Sequence, residues 1–222
     1  MNEIKFLVTK TLETTSRAGE PRGAERLPLG SSPMSPSSPV LQVIIGSTRP
    51  GRVGEPIAKW FYDLAVAHGG LDVELVDLTD VNLPIYDEPT QPFRRKYSHD
   101  HTKRWSEIVE RGDAFVFVIP EYNHSLNAAM KNAVDFLYHE WRYKPFGVVS
   151  YGGASKGLRA AEALIPSLVA LRMFLAGDVA IALLTTPVVE DVFQGNEELE
   201  KSANDLLDEL TRFTPVFQPF HA

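Results

Sequence analysis

Cysteine is absent from all 222 residues of the chain. Its absence excludes disulfides, thiolate zinc and iron–sulfur sites, and every mechanism with a cysteine nucleophile. A surplus of positive charge is missing as well: 22 Lys and Arg stand against 29 Asp and Glu, a net charge of -7. Bulk electrostatics therefore favour neither nucleic acid nor an anionic membrane as partner, and a bound anion must be drawn by a local site working against the global field. No uninterrupted apolar run comes near the ~18 residues needed to span a bilayer. What remains, at 44% hydrophobic residues, is a globular composition with length for one α/β domain and some excess, most simply read as cytoplasmic.

The excess lies at the start. Residues 1–38 are rich in Ser, Pro, Gly, Glu and Arg and end in LPLGSSPMSPSSP, a low-complexity stretch with nothing to bury. Only IKFLV, Ile4 to Val8, reads as a strand. It is too short for a signal peptide and is followed closely by Lys10, Glu13 and Arg17, while Glu3, Glu13, Glu20 and Glu25 argue against a transit peptide. Two readings stand: a disordered extension, or a leader or mis-assigned start upstream of Met34. A single domain then spans residues 39–222.

In that domain short apolar runs alternate with amphipathic stretches. Val40 to Ile45, Val73 to Leu78, Ala114 to Ile119, Phe146 to Tyr151 and Val179 to Leu184 are expected as strands, three of them apolar on both faces as in a covered parallel sheet. Ile57, Trp60, Phe61 and Leu64 form the stripe of a first helix. Further helices are expected from about Thr102 to Arg111, Asn127 to Tyr138, Gly157 to Met173 (kinked or broken at Pro166) and Glu197 to Arg212. Strict alternation predicts a doubly wound five-stranded parallel sheet, order 2-1-3-4-5, with helices on both faces. Ligands of such sheets bind beyond the carboxyl ends of the strands.

The unusual loops all fall there. GSTRPGRVG follows the first strand: Gly46, Gly51 and Gly54 permit close backbone approach, Ser47 and Thr48 offer donors, and Arg49, assisted by Arg52, can fork onto phosphate oxygens at a helix amino terminus. Lys-Ser/Thr is missing from the position a nucleotide triphosphatase loop requires, and no Gly-x-Gly-x-x-Gly is present. PEYNHS follows the third strand, with Pro120 expected to end it, Tyr122 offering an aromatic face and Asn123 and the amides after it facing a planar heterocycle. YGGASKG follows the fourth, where Gly152 and Gly153 leave bare backbone for a flat ring. A lone rim histidine such as His124 is more often a surface residue than a catalyst.

In this order and spacing, GSTRPGRVG, PEYNHSLNAAMKNAVDFL and SYGGASKGLRA resemble the NAD(P)H-dependent FMN reductases, flavodoxin-like quinone, azo and chromate reductases, over about Val40 to Leu184. The resemblance implies bound FMN, NADPH or NADH as electron donor, and a small acceptor: quinone, azo compound, chromate or free flavin. It implies that Ser47, Thr48, Arg49, Arg52 and the amides through Val53 and Gly54 hold the phosphate. Pro120, Glu121, Tyr122, Asn123, His124 and Ser125 would line the flavin, with Tyr151, Gly152, Gly153 and Ser155 over its pyrimidine side. Arg52-Val53 departs from the small Gly-Ser often found in that loop. The flavin carries the chemistry in a ping-pong scheme, so no catalytic side chain and no metal is expected, with His124 the one candidate proton donor.

The family habit implies a homodimer or homotetramer. DFLYHEWRY, Asp135 to Tyr143, is aromatic enough for either core packing or an interface, the interface being the sharper reading. Arg94 and Arg95, in the long connection from Thr79 to His101, are candidates for a 2′-phosphate or part of a solvated charge run. The rival function is a non-enzymatic flavodoxin-type electron carrier, against which the arginines of the first loop argue. A receiver domain lacks its carboxylate where Ile119-Pro120 stands, and a low-molecular-weight tyrosine phosphatase lacks its cysteine.

Overall fold

The computed structural model describes residues 38–221. The extension expected at the amino terminus, with its Ile4–Val8 run, lies outside the described residues apart from Ser38. Five strands make the parallel sheet: β1 (Val40–Ile45), β2 (Asp72–Asp77), β3 (Ala114–Tyr122), β5 (Pro145–Gly152) and β6 (Phe174–Ala182). A two-residue strand, β4 (Ser125–Leu126), pairs antiparallel with β3. The spatial order is β2-β1-β3-β5-β6, the flavodoxin-like arrangement the alternation predicts, with strand order reversing between β1 and β3.

Strand parity builds two cores. Phe115, Phe117 and Ile119 of β3, with Ile44, Phe146 and Val148, face α3 (Asp100–Glu110), α4 (Ala128–Asp135) and α5 (Leu158–Ala170). Ala114, Val116 and Val118, with Leu41, Val43, Ile45 and Val149, face α1 (Gly54–His68) and α6 (Glu197–Phe217). Only strands covered on both faces can be apolar at every position. α2 (Leu78–Val81) is a single turn capped by Asp77, which accepts from the Thr79 amide at 2.8 Å. No helix among the described residues is long and apolar enough to cross a membrane.

Three expectations change and one narrows. β3 does not stop at Pro120 but runs to Tyr122, with Pro120 opposite Tyr151 of β5. The Val118 carbonyl accepts from the Gly46 amide on the β1 side; Pro120 has the same parity and lies beyond the last β1 partner, so its missing N–H breaks no ladder bond. Of the two alternatives at Pro166, kink or break, the break is excluded because α5 continues through it, and α6 extends five residues past Arg212, Asn196 capping its start. The aromatic segment after Asp135 is core rather than interface where it is bulkiest: α4 ends at Asp135, and Phe136, Leu137, Glu140 and Trp141 are all buried. Trp141 donates its indole N–H to the Val134 carbonyl at 3.2 Å.

The long connection between β2 and α3 is organised by carboxylates and an amide. Glu88 accepts from the Ser98 and His99 amides at 2.8 and 3.0 Å. The buried Glu140 accepts from Tyr97 Oη at 2.8 Å and Ser106 Oγ at 2.6 Å. Asn132 donates to the Pro84 carbonyl and accepts from the Tyr86 amide. Arg95 is paired with Glu110 and lies 3.7 Å from Glu140, and Arg94 sits over the Phe93 ring.

Candidate functional site

The three loops meet on one rim. In the first, both backbone groups of Gly46 are used: its amide donates to the Val118 carbonyl at 2.9 Å, and its carbonyl accepts from Asn127 Nδ2 at 2.6 Å. A Cβ there would lie 2.8 Å from Met130 Cε and 3.0 Å from the Val118 oxygen, so only glycine lets the chain pass so close to β3. Gly51 takes φ +67 with open space around it, and the Arg52 amide closes a turn onto the Arg49 carbonyl at 3.1 Å. Val53 occupies the cap position of α1 with no side-chain cap bond. The first-turn amides of this 15-residue helix therefore carry the positive end of its dipole with no side-chain acceptor at the cap. An anion is the natural acceptor at such an end.

The two arginines of that loop are placed differently. Arg49 is exposed, and its guanidinium makes only a marginal 3.5 Å approach to the Gly51 carbonyl. Arg52 is turned inward: it forks onto the Asp77 carboxylate, reaches Thr79 Oγ1, and donates to the Ser47 carbonyl at 2.9 Å. Glu55 lies 3.4 Å from it and pairs in turn with Lys59 at 2.8 Å. The Asp77 hydrogen bonds, opposed in part by burial, raise the pKa of Arg52.

Ser47 is buried, its Oγ 3.0 Å from Tyr122 Oη, which joins the first loop to the end of β3. The Tyr151 ring is buried in the core under α1, and a Cβ added at Gly54 would overlap its hydroxyl. Strand parity turns the Tyr151 side chain toward α1, beneath the first loop, so what this position can offer a ring over the third loop is backbone. Burial, with Tyr122 alongside, raises the Tyr151 pKa, so the phenol stays protonated as a donor.

The second loop is a two-residue hairpin. Asn123 (φ 49) and His124 (φ 65) occupy the left-handed region between β3 and β4, with Tyr122 opposite Ser125 and Glu121 opposite Leu126. Two consecutive left-handed residues suit the twist of a tight hairpin, at a cost that only glycine avoids. Tyr122, Asn123 and His124 are exposed at its tip. The Glu121 side chain binds Arg159 through Nη1 at 3.0 Å and the amide at 3.2 Å, tying the hairpin to the third loop and the start of α5. Burial alone would raise the Glu121 pKa; Ser155, Arg159 and its amide overcome that and hold it down.

In the third loop Gly153 is exposed with nothing within 4 Å of a Cβ position, whereas Gly157 (φ +82) would drive a Cβ to 2.5 Å from the Tyr151 amide nitrogen. Ser150 Oγ donates to the Lys156 carbonyl at 3.1 Å and fixes the turn from inside. The donor set therefore fits a long ligand with a phosphate at one end: open helix amides and a loosely held Arg49 for the anion, then a tyrosine, a strained hairpin tip and bare glycine backbone at Gly153. Sequence reasoning missed Asp77 and Asn127. Asp77 at the carboxyl end of the second strand lies on the same rim by the sheet rule and was the readable signal; Asn127 carried none.

Comparison with known proteins places the fold in a family. A family profile described as NADPH-dependent FMN reductase matches residues 40–185. An NAD(P)H-dependent FMN reductase of Schizosaccharomyces pombe is 36% identical over 184 residues, covering 82% of this chain and 92% of that protein. A quinone reductase of Pseudomonas putida is 34% identical over 137 residues, 59% of this chain and 70% of that protein. Among solved structures, the flavoenzyme NAD(P)H:(acceptor) oxidoreductase FerB of Paracoccus denitrificans superposes with a TM-score of 0.63 at 21% identity over 81% of this chain and 98% of that one, a likeness of fold. The chain belongs to the NADPH-dependent FMN reductase family.

Proposed function

We propose that this oxidoreductase works in two separate half-reactions at one open rim, the second reducing a small acceptor such as a quinone. As a family member it uses FMN as cofactor and NAD(P)H as donor. When bound, FMN supplies the redox chemistry, taking hydride from the nicotinamide and returning two electrons to an acceptor. The balance is NAD(P)H, a proton and a quinone giving NAD(P)+ and a hydroquinone. The observation that carries the reading is the convergence of an open helix amino terminus, Arg49 and the Asn123–His124 hairpin on one rim.

Ser47, Arg49 and the amides up to Gly54 bind the phosphate. Arg49 is free to fold over it, since its present contact is too long to resist. The hairpin tip presents backbone donors to a ring edge, and the missing side chain at Gly153 leaves one surface for a flat group. The proton for a quinone oxygen comes from water or from His124; a pH–rate profile unchanged in His124→Ala assigns it to water.

The reading includes a homo-oligomer. Support comes from a groove of about 480 Å³ between α4 and α5, where Pro92, Phe93 and Tyr138 stand beside the Lys131–Asp135 pair. Light scattering of the purified chain checks it. The function is tested in one cuvette: the protein takes up FMN, shows flavin absorption bands, and loses them within seconds of anaerobic NADPH addition. Colour that persists with NADPH favours a one-electron carrier, and failure to take up FMN overturns the reading.

A further inference from the structure

We infer that Arg52 and Asp77 form a clasp that holds the phosphate loop in its binding shape, Arg52 being a positioning residue and not a phosphate ligand. The inference rests on the FMN reading above and narrows it. Sequence position alone makes Arg52 a second phosphate arginine. Its side-chain geometry assigns its donors elsewhere. Nη1 serves the Ser47 carbonyl, Asp77 and Thr79, and Nη2 serves Asp77 and Glu55. For Arg52 to grip a phosphate it would have to leave a forked pair in which both side chains are largely buried, 14% and 16% exposed. That exchange would strand the Asp77 carboxylate beside a phosphate dianion.

The clasp joins segments 25 residues apart in the chain. Asp77 ends β2 and at the same time caps α2 through the Thr79 amide. Arg52 therefore fixes both ends of the first loop's path: Ser47 at its start, and its own backbone one residue before the cap of α1. Arg52 with Asp77, and Lys59 with Glu55, form ion pairs, so Arg49 is the loop's arginine left to meet a ligand's charge, with Asp191 on the far side of the same groove. A forked, partly buried pair orders a loop where an exposed one would contribute little.

The test is FMN binding, read by quenching of flavin fluorescence, in flavin-free protein carrying Asp77→Asn, Arg52→Met, Arg52→Lys or both Arg52→Met and Asp77→Asn. With a clasp, each of the first two weakens FMN binding by roughly five- to thirty-fold, Arg52→Lys falls between, and the double variant is no weaker than Arg52→Met. Amide hydrogen exchange at residues 47–53 rises in Asp77→Asn before any FMN is added, and circular dichroism confirms that each variant is folded. An Asp77→Asn protein that binds FMN as tightly as the unaltered one, or more tightly, overturns the clasp and makes Arg52 a ligand. Should Arg52→Met not fold, Arg52→Lys and Asp77→Asn still decide. Unaltered protein that binds no FMN brings down the cofactor reading, and the clasp with it.

Discussion

Single residues on this rim are fixed by what lies behind them. Gly54 begins α1 directly above the Tyr151 hydroxyl, and a Cβ there would sit 3.3 Å from Tyr151 Cζ once the hydroxyl were gone. Gly54→Ala is expected to cost about 1–3 kcal/mol through overpacking and to weaken FMN binding. Adding Tyr151→Phe should restore most of both, as measured by urea unfolding and an FMN titration. If the double variant is no better than Gly54→Ala alone, the overlap is not the cause. Asn127 has a different duty. Its Nδ2 holds the Gly46 carbonyl, while its Oδ1 is buried with no partner among the described residues. Asn127→Asp exchanges that donor for a second acceptor facing a carbonyl, so it is expected to destabilise by about 1–3 kcal/mol, and by more than Asn127→Leu, which leaves one orphan and no repulsion. Equal midpoints in urea would show the amide bond to be idle.

Elements carry the electrostatic behaviour. The connection between β2 and α3 is long for a compact domain, and Glu88 holds it by accepting two amides. Burial pushes the Glu88 pKa up, but the Ser98 and His99 amides more than offset this and leave it below its ordinary value. A carboxylate with a depressed folded pKa contributes stability that is present above its unfolded value, near ~4.3, and is lost as pH falls through the folded one. Glu88→Gln should therefore be less stable at neutral pH and lose less stability between about pH 5 and pH 3. Thermal melts across that range check it; parallel curves for the two proteins would place the acid sensitivity elsewhere. At the other end of the sheet Lys144 is buried, with its ammonium on the Val109 and Glu110 carbonyls at 3.2 and 3.3 Å, where α3 ends. Burial lowers its pKa to about 8, although the Glu110, Asp113 and Glu140 carboxylates favour the charged form.

At the scale of the whole molecule, the legible part of this protein was its rim. The sheet rule needs only that a loop follows a strand, so the run from Gly46 to Gly54, PEYNHS and YGGASKG could be gathered at one edge before any register was known. What escaped depends on encounters that local sequence does not encode. Arg52 meets a carboxylate 25 residues away, Tyr151 turns inward by strand parity, and Asn123-His124 make a hairpin with no glycine to announce it. The DFLYHEWRY segment shows the same limit, since aromatic content alone does not separate a core from an interface. The rim also makes a prediction about the entire fold. A ligand that binds only the native state stabilises it by mass action, about 2.7 kcal/mol at one hundred times Kd, which for a domain of this size raises Tm by roughly 5–10 °C. FMN at saturating concentration is expected to shift the melt of flavin-free protein by that amount. Riboflavin, with the same ring and no phosphate, should shift it far less, because the open amides of α1 and Arg49 have nothing to hold. Equal shifts would mean that the ring alone provides the affinity and that the phosphate loop does not bind phosphate.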